Sequence, residues 1–143
     1  MIYEDRDVIS IEKKAKKTAG KVFFPEDIDS TILLSMPYEY PKSRTHVELT
    51  SDEFTCLCPF SGLPDFAFLT IKYIPRRKLI EMKSLKHYIY SFRNVKIYNE
   101  HVVNKILLDL KKILNPYELS VEGEFTVRGG MKNRVFTEYK ARK

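Results

Sequence analysis

The alternation of apolar and polar residues is clearest from Tyr117 to Val127, and it predicts a half-buried strand. The pair Gly129-Gly130 that follows is typical of a turn. Met131 to Tyr139 can then run back beside the first strand. The C-terminal part of the chain is therefore expected to form a β-hairpin.

Three earlier stretches also predict strands. Val47 to Thr50 alternates and is expected to end in a turn at Ser51-Asp52. The segment 54–65 is crowded with Pro and Gly, as loops are. Phe66 to Ile74 is apolar on both faces, which suits a central strand, and Lys78 to Met82 predicts a short returning strand.

Two helices are predicted between these strands and the hairpin. Apolar residues from Leu85 to Phe92 follow helical spacing, with Ser84 as a possible N-cap. A longer apolar stripe runs from Val102 to Leu114 and stops at Asn115-Pro116. The order of strands, two helices and strands predicts an α+β fold, with an antiparallel sheet and both helices on one face.

The chain has 143 residues, which suits a single domain. Residues 1–30 carry charge runs, such as KKAKK at 13–17, and few apolar residues. This composition predicts an N-terminal arm that is loosely ordered unless a partner subunit holds it. Residues 31–143 are expected to form the domain itself.

Charge and composition narrow the possible functions only slightly. Lys and Arg number 25 against 19 Asp and Glu, which fits an anionic ligand, nucleic acid or a membrane surface without selecting one. No apolar run approaches the ~18 residues of a membrane span. Two cysteines and three histidines leave no disulfide framework and no multi-cysteine zinc site, so we expect no metal and a cytoplasmic location.

The predicted loop contains a cysteine, Cys58, and ends at an acid, Asp65. A thiol beside a carboxylic acid suits covalent catalysis, since the sulfur attacks an electrophilic carbon while the acid donates a proton. An isolated cysteine is also commonly buried filler, so the pair alone leaves both interpretations open. Nearby Cys56 is expected to be structural, with a redox partnership of the two thiols as the minor alternative.

Four blocks in order carry a resemblance to a known family. They are Cys58-Pro59-x-x-Gly-x-Pro64-Asp65-Phe66-Ala67, Glu81 to Tyr88 (EMKSLKHY), Ser91 to Asn94 (SFRN) and Phe125 to Gly130 (FTVRGG). The chain resembles the NADPH-dependent 7-cyano-7-deazaguanine (preQ0) reductases, the QueF family of nitrile reductases in queuosine biosynthesis. At this length the single-domain branch is the better match.

The resemblance implies a tunnelling fold (T-fold) and a homo-oligomer, a pentamer or decamer with active sites at subunit boundaries. It also implies a reaction in which Cys58 attacks the nitrile carbon to give a thioimide, while Asp65 supplies the proton. Two NADPH molecules then reduce the adduct to the aminomethyl product. This logic is coherent, because a thioimide accepts hydride better than a bare nitrile does.

By the same resemblance, the residues that bind NADPH are Glu81, Lys83, Ser84, Lys86 and Arg128. Lys83 and Lys86 are three residues apart at the start of the first predicted helix, beside its free N–H groups, which suits a phosphate. Glu100 resembles the glutamate that holds the guanine-like edge of the substrate. An acid there also suits the first turn of the second helix.

One position departs from the family pattern. The family usually has His immediately before that glutamate, whereas this chain has Asn99. By its position, Asn99 is assigned to substrate binding. Asn99 cannot shuttle protons, although it can form hydrogen bonds and is a good N-cap. His101 would point about 200° away from Asn99 on a helix, so a simple exchange of roles is not expected.

Other functions are weighed against the reductase. Zinc-dependent GTP cyclohydrolases of the same fold need Cys and His ligands that this chain does not supply. An archaeal relative that transfers an amino group onto a deazaguanine nitrile in tRNA lacks the Glu-x-Lys-x-x-Lys block found here. A non-catalytic basic RNA-binding module fits the charge, but no RNA-recognition motif is found.

Overall fold

The computed structural model describes residues 21–143. In this range two α-helices are placed between strands, as the sequence predicts. The strands are β1 (Ser35–Pro37), β2 (Val47–Leu57), β3 (Pro64–Ile74), β4 (Lys78–Ile80), β5 (Glu118–Arg128) and β6 (Met131–Lys140), and the helices are α1 (Met82–Tyr90) and α2 (Asn99–Leu114). Short 3-10 helices cover Pro25–Asp27, Ser30–Ile32 and Ser91–Asn94.

The main sheet has the order β2-β3-β5-β6 and is antiparallel throughout. The small strands β1 and β4 pair separately. One face of the main sheet and the apolar sides of α1 and α2 enclose a single core, with Tyr88, Phe92, Ile106 and Leu110 fully buried in it. The predicted α+β class, the antiparallel sheet and the C-terminal hairpin are therefore confirmed.

The β2 strand does not end where the sequence predicts. It continues through Ser51 and Asp52 to Leu57, with a β-bulge between Ser51 and Phe54. A bulge inserts an extra residue and reverses which side chains face the core. Phe54 and Cys56 are buried as a result, so a stretch that the sequence assigned to a loop is half strand.

The β3 strand is central, as predicted, but only one of its faces is buried. Leu69 and Ile71 point into the core, whereas Phe66 and Phe68 on the other face are 52% and 46% exposed. The prediction of two buried faces is wrong because both α1 and α2 pack on the same side of the sheet.

Neither helix has the expected residue as its N-cap. The cap of α1 is Glu81, not Ser84, since its carboxylate accepts hydrogen bonds from the backbone of the first turn. Tyr98, not Asn99, precedes α2. The end of α2 at Asn115 is confirmed, and this residue adopts a left-handed conformation with φ 44°. Among the described residues, no helix is long and apolar enough to cross a membrane.

The last part of the predicted arm contacts the domain. The Phe23 backbone N–H donates to the Asn94 oxygen at 2.8 Å, and the Lys96 N–H donates to the Phe23 oxygen at 2.9 Å. Ile28 is buried in the core. The KKAKK run lies outside the described residues, so the division of the chain into an arm and a domain at residue 31 stays a prediction.

Candidate functional site

The loop that carries Cys58 is the tight connection between β2 and β3. The Cys58 N–H donates to the Leu63 oxygen at 2.9 Å, and the Gly62 N–H donates to the Cys58 oxygen at 2.9 Å. Gly62 has φ +69°, a left-handed conformation that favours glycine. Leu63 N–H also donates to Ser61 Oγ at 3.2 Å. Backbone hydrogen bonds therefore close the loop around the thiol.

The Cys58 side chain is partly exposed in this loop. Backbone N–H and hydroxyl groups of Ser61, followed by the Phe60 N–H, lower the pKa of the thiol, and they outweigh the opposing effects of burial and of the nearby Asp65 carboxylate. A lowered pKa favours the thiolate, which is the nucleophilic form of cysteine. The loop therefore favours the thiolate form of Cys58.

Cys56 has the opposite character. It is fully buried, and burial first, then the nearby Asp65 charge, raises the pKa of its thiol to about 12. Both cysteines are free. A neutral thiol packed in the core fits the structural role expected of Cys56.

Asp65 lies next to the Cys58 loop, at the start of β3 and opposite Cys56 in the sheet. Its buried carboxylate forms an ion pair with Arg128, with 2.8 Å between Oδ1 and Nη2. The same guanidinium donates to the Pro64 carbonyl oxygen. The resemblance assigned Arg128 to the cofactor, but in this structure the side chain binds the predicted acid.

Two bulges bring these side chains to one face of the sheet. The bulge in β2 is matched by a second one between Phe125 and Arg128 on β5, on the other side of β3. Each bulge lies near the same end of the sheet and shifts by one residue the alternation of side chains between the two faces. Arg128 consequently reaches the core-side face on which Asp65 lies.

The start of α1 holds two of the residues assigned to NADPH. Glu81 accepts hydrogen bonds from the N–H groups of Lys83 at 2.9 Å and Ser84 at 2.7 Å, and these bonds lower the pKa of its carboxyl group. Ser84 donates its hydroxyl to the Glu81 backbone oxygen at 2.8 Å and accepts from the Leu34 N–H at 3.0 Å. Both side chains are therefore engaged within the chain, and two N–H groups that the sequence analysis offered to a phosphate are already occupied.

Lys83 and Lys86 lie together on the rim of a cavity of about 350 Å³ between α1 and the β2 side of the sheet. The cavity also has a hydrogen bond on its rim, from the Tyr90 hydroxyl to Glu53 Oε2 at 2.6 Å. Its floor is formed by apolar side chains, namely Leu49, Leu69, Ile71, Leu85 and Ile89. Such a pocket, apolar with a few charged groups, is typical of ligand sites.

The start of α2 lies beside the Cys58 loop. Leu57 N–H donates to the Val95 oxygen at 2.9 Å, and the Tyr98 ring packs edge-on against Phe60 with 6.0 Å between ring centroids. His101 also packs edge-on against Tyr98, with 5.4 Å between ring centroids. The Cys58 loop and the predicted substrate residues therefore share one end of the molecule.

Asn99 and Glu100 differ in their surroundings at this helix start. Asn99 Oδ1 is buried and has no hydrogen-bond partner within residues 21–143. Glu100 is exposed, and its Oε1 accepts from Asn133 Nδ2 at 3.4 Å. A buried oxygen without a partner is costly unless a ligand supplies a donor. The Glu100 carboxylate and the Asn99 amide oxygen can therefore both accept hydrogen bonds from donors on a ligand.

The predicted site residues form two separate groups in the folded structure. Cys58, Asp65 and Arg128 form one group, with Asn99 and Glu100 nearby, whereas Lys83 and Lys86 form the other on the rim of the cavity. Sequence reasoning missed Ser61, which affects the Cys58 thiol, and Tyr98, which packs against the loop. A serine close behind a cysteine in a glycine-containing loop could have indicated Ser61, whereas nothing in the pattern marked Tyr98.

The chain is similar in sequence to proteins of one family. The family model described as QueF-like protein matches residues 64–143. A relative from Caldicellulosiruptor bescii named NADPH-dependent 7-cyano-7-deazaguanine reductase is 53% identical over 114 residues, which is 80% of this chain and 87% of the relative. A protein with the same name from Thermoanaerobacter pseudethanolicus is 49% identical, and the match covers 91% of this chain and 98% of the relative. Another from Helicobacter pylori is 39% identical, and the match covers 90% of this chain and 86% of the relative.

Among solved structures, the apo form of the archaeosine synthase QueF-Like is similar with a TM-score of 0.64. The match covers 71% of this chain and 99% of that one at 24% identity, so it bears on the fold alone. It confirms the predicted T-fold. From the family model and the relatives, the chain belongs to the QueF family of 7-cyano-7-deazaguanine reductases.

Proposed function

We propose that this chain reduces the nitrile of 7-cyano-7-deazaguanine to a primary amine through a thioimide on Cys58, as a step of queuosine biosynthesis. Relatives of up to 53% identity are named NADPH-dependent reductases, so the chain is an oxidoreductase that uses NADPH. The observation that carries the mechanism is the pairing of a Cys58 thiol of lowered pKa with a buried acid beside it.

The first step adds the thiol across the nitrile. The Cys58 sulfur forms a bond to the nitrile carbon, one C–N π bond breaks, and the nitrogen takes up one proton. Asp65, which lies beside the loop and pairs with Arg128, can accept the thiol proton and pass it to the nitrogen. The sum is one thiol and one nitrile giving one thioimide, so atoms and charge balance.

NADPH, when bound, would supply the two hydrides that the four-electron reduction of the nitrile to the amine requires. The residues on the α1 cavity fit such a cofactor. Lys83 and Lys86 place two cations on its rim for phosphate groups, and the apolar floor suits a base. Glu81 and Ser84 act by fixing the helix start that carries these lysines.

The substrate base is held near the start of α2. The exposed Glu100 carboxylate can accept two hydrogen bonds from the N–H edge of a guanine-like ring, in exchange for its long contact with Asn133. Asn99 Oδ1, which is buried and has no partner among residues 21–143, can accept another. Asn99 then orients the substrate and moves no proton, so proton transfer is left to Asp65.

Because the lysine cavity and the Cys58 group are separate places in one chain, we further propose that a homo-oligomer, a pentamer or decamer, completes each active site. One subunit then supplies Cys58 and its neighbour supplies Lys83 and Lys86. The names of the relatives favour this reductase over both an RNA-binding module and an enzyme that modifies tRNA directly.

The test of the function uses Cys58→Ala with Cys56→Ala as the matched control. The wild type and the control should oxidise NADPH in the presence of 7-cyano-7-deazaguanine, and mass spectrometry without NADPH should detect one covalent adduct per chain. Cys58→Ala should lose both signals. An adduct on Cys58→Ala, or a wild type that neither oxidises NADPH nor forms an adduct, would refute the proposal.

A further inference from the structure

Arg128 ties the end of β5 to the predicted acid at the start of β3. We propose that Arg128 is a positioning residue for the first step of the reaction. It holds the Asp65 carboxylate in the orientation in which that carboxylate relays the proton from Cys58 to the nitrile nitrogen. Arg128 acts through Asp65 and is not a ligand of the cofactor. This inference rests on the proposed function, because it concerns the same proton transfer.

The guanidinium group of Arg128 makes two contacts through one nitrogen atom. Nη2 lies 2.8 Å from Asp65 Oδ1, and it also donates to the Pro64 carbonyl oxygen. Since Nη2 carries two hydrogens, each of these oxygens can receive a hydrogen bond of its own. The side chain therefore connects β5 to two consecutive residues of β3, and it cannot turn away without losing both contacts.

The Asp65 carboxylate depends on this contact for its direction. The Asp65 backbone is fixed, because the Thr55 hydroxyl donates to its carbonyl oxygen at 2.8 Å and the residue pairs with Cys56 across the sheet. The side chain still has two torsions, and within residues 21–143 Arg128 is its one ion-pair partner. The ion pair engages Oδ1, so the second oxygen is the one that can take up a proton.

The register of β2 and β3 places this carboxylate on the side of Cys58. Asp65 lies opposite Cys56, and the Cys58 N–H donates to the Leu63 oxygen, so the ladder continues beyond Cys56. Because side chains alternate between the two faces, Cys58 shares the face of Cys56 and Asp65. Diagonal neighbours of this kind are about 7–8 Å apart, so their side chains can reach the two ends of one nitrile.

The turn after β5 holds Arg128 in place before any substrate binds. Arg128 pairs with Met131, and Gly129 and Gly130 between them have φ values of +55° and +75°. Two left-handed residues in a row form the tight hairpin turn that matches the twist of the flanking strands. The proton relay is thus arranged in advance, which matters because the sulfur–carbon bond forms and one C–N π bond breaks as the thiol proton reaches the nitrogen.

The test follows covalent adduct formation by the full-length protein with 7-cyano-7-deazaguanine and no NADPH, using intact mass spectrometry at timed intervals. Arg128→Met should slow adduct formation about 10–100-fold, since a small misplacement of a reacting group costs about that much. Arg128→Lys, which keeps a charged donor, should recover most of the rate. In an Asp65→Asn background, Arg128→Met should slow the reaction no further, because Arg128 acts through that carboxylate.

Two controls separate this role from a structural one. Alkylation of Cys58 by iodoacetamide releases iodide and places no proton on the electrophile, so Arg128→Met should leave the alkylation rate unchanged. Arg134→Met removes the exposed partner of Glu122 and should form the adduct at the wild-type rate. Arg128→Gln is a second variant without the charge, and it gives the same comparison if Arg128→Met does not fold.

The possible outcomes are distinct. A folded variant without the Arg128 charge that forms the adduct at the wild-type rate would overturn the role, since a residue that serves only the cofactor has no effect when NADPH is absent. Equal slowing of adduct formation and alkylation would also overturn it, because the effect would then lie on the thiol. Absence of an adduct in the wild type would instead refute the reaction itself, and this role with it.

Discussion

The ion pair between Asp65 and Arg128 provides the sharpest test of how the site is built. The Asp65 side chain is 12% exposed and the Arg128 side chain 47% exposed. An exposed ion pair contributes up to about 1 kcal/mol to the free energy of unfolding, whereas breaking a fully buried ion pair costs about 3–5 kcal/mol. For this half-exposed pair we expect a coupling of about 1–2 kcal/mol in the free energy of unfolding.

The measurement is a double-mutant cycle by urea unfolding at one fixed protein concentration, with Arg128→Met, Asp65→Asn and the double variant. Arg128→Met should be the most destabilised single variant, because it leaves a buried carboxylate without a partner. In the double variant most of that loss should be recovered. Since about 1 kcal/mol lowers the melting temperature by about 2–4 °C in a protein near this size, calorimetry offers a second readout.

A matched control exists on the other face of the sheet. Arg134 is paired with Glu122, but its side chain is 67% exposed. Arg134→Met should therefore leave the unfolding midpoint unchanged. If Asp65→Asn and Arg128→Met are additive within about 0.5 kcal/mol, the two side chains are not coupled and the assignment of Arg128 to the acid is wrong.

Two further predictions concern α1. The double variant Lys83→Ala/Lys86→Ala should raise the apparent KM for NADPH while the covalent adduct still forms. Lys112→Ala on α2 is the control and should leave this KM unchanged. Loss of the adduct in the double variant would show that the two lysines do not serve the cofactor. Hydrogen bonds hold the pKa of Glu81 below its ordinary 4.5, so its charged cap stabilises fully above pH 4.5 and less as the pH falls through the lowered value. The urea midpoints of wild type and Glu81→Gln should thus differ at pH 6 and converge as the pH falls below 4.5; a gap that stays constant as the pH falls would contradict this.

Much of the fold follows from local pattern. The stripe of α2 and the alternation of the C-terminal hairpin each span ten or more residues, so their type was readable from the sequence. The cap of α1 was not, because serine is the commoner N-cap and Glu81 takes that role through a longer side chain. The end of β2 was predicted wrongly because the polar residues Ser51 and Asp52, which are typical of a turn, form a β-bulge within the strand.

The candidate site was predictable in its residues more than in its contacts. The motif drew attention to Cys58 and Asp65, which lie close together in the structure. The partner of Asp65 is 63 positions away along the chain, and it reaches the acid only through the pairing of β3 with β5 and a bulge in β5. Spacing along a sequence carries no information about such a contact.

The bulge in β2 has a consequence for how this chain can vary among related organisms. Three steps along β2 from Ser51 to Phe54 oppose two steps along β3 from Leu69 to Ala67, so the bulge absorbs one extra residue. Deleting one residue there would give a regular strand in which Phe54 still lies opposite Ala67 and still faces the core. A deletion between Phe54 and Leu57, where the pairing is regular, would instead turn Cys56 to water and move Cys58 away from the side of the sheet that holds Asp65. A single-codon deletion is therefore tolerable at Asp52, whereas one at Thr55 would remove both the packing and the chemistry.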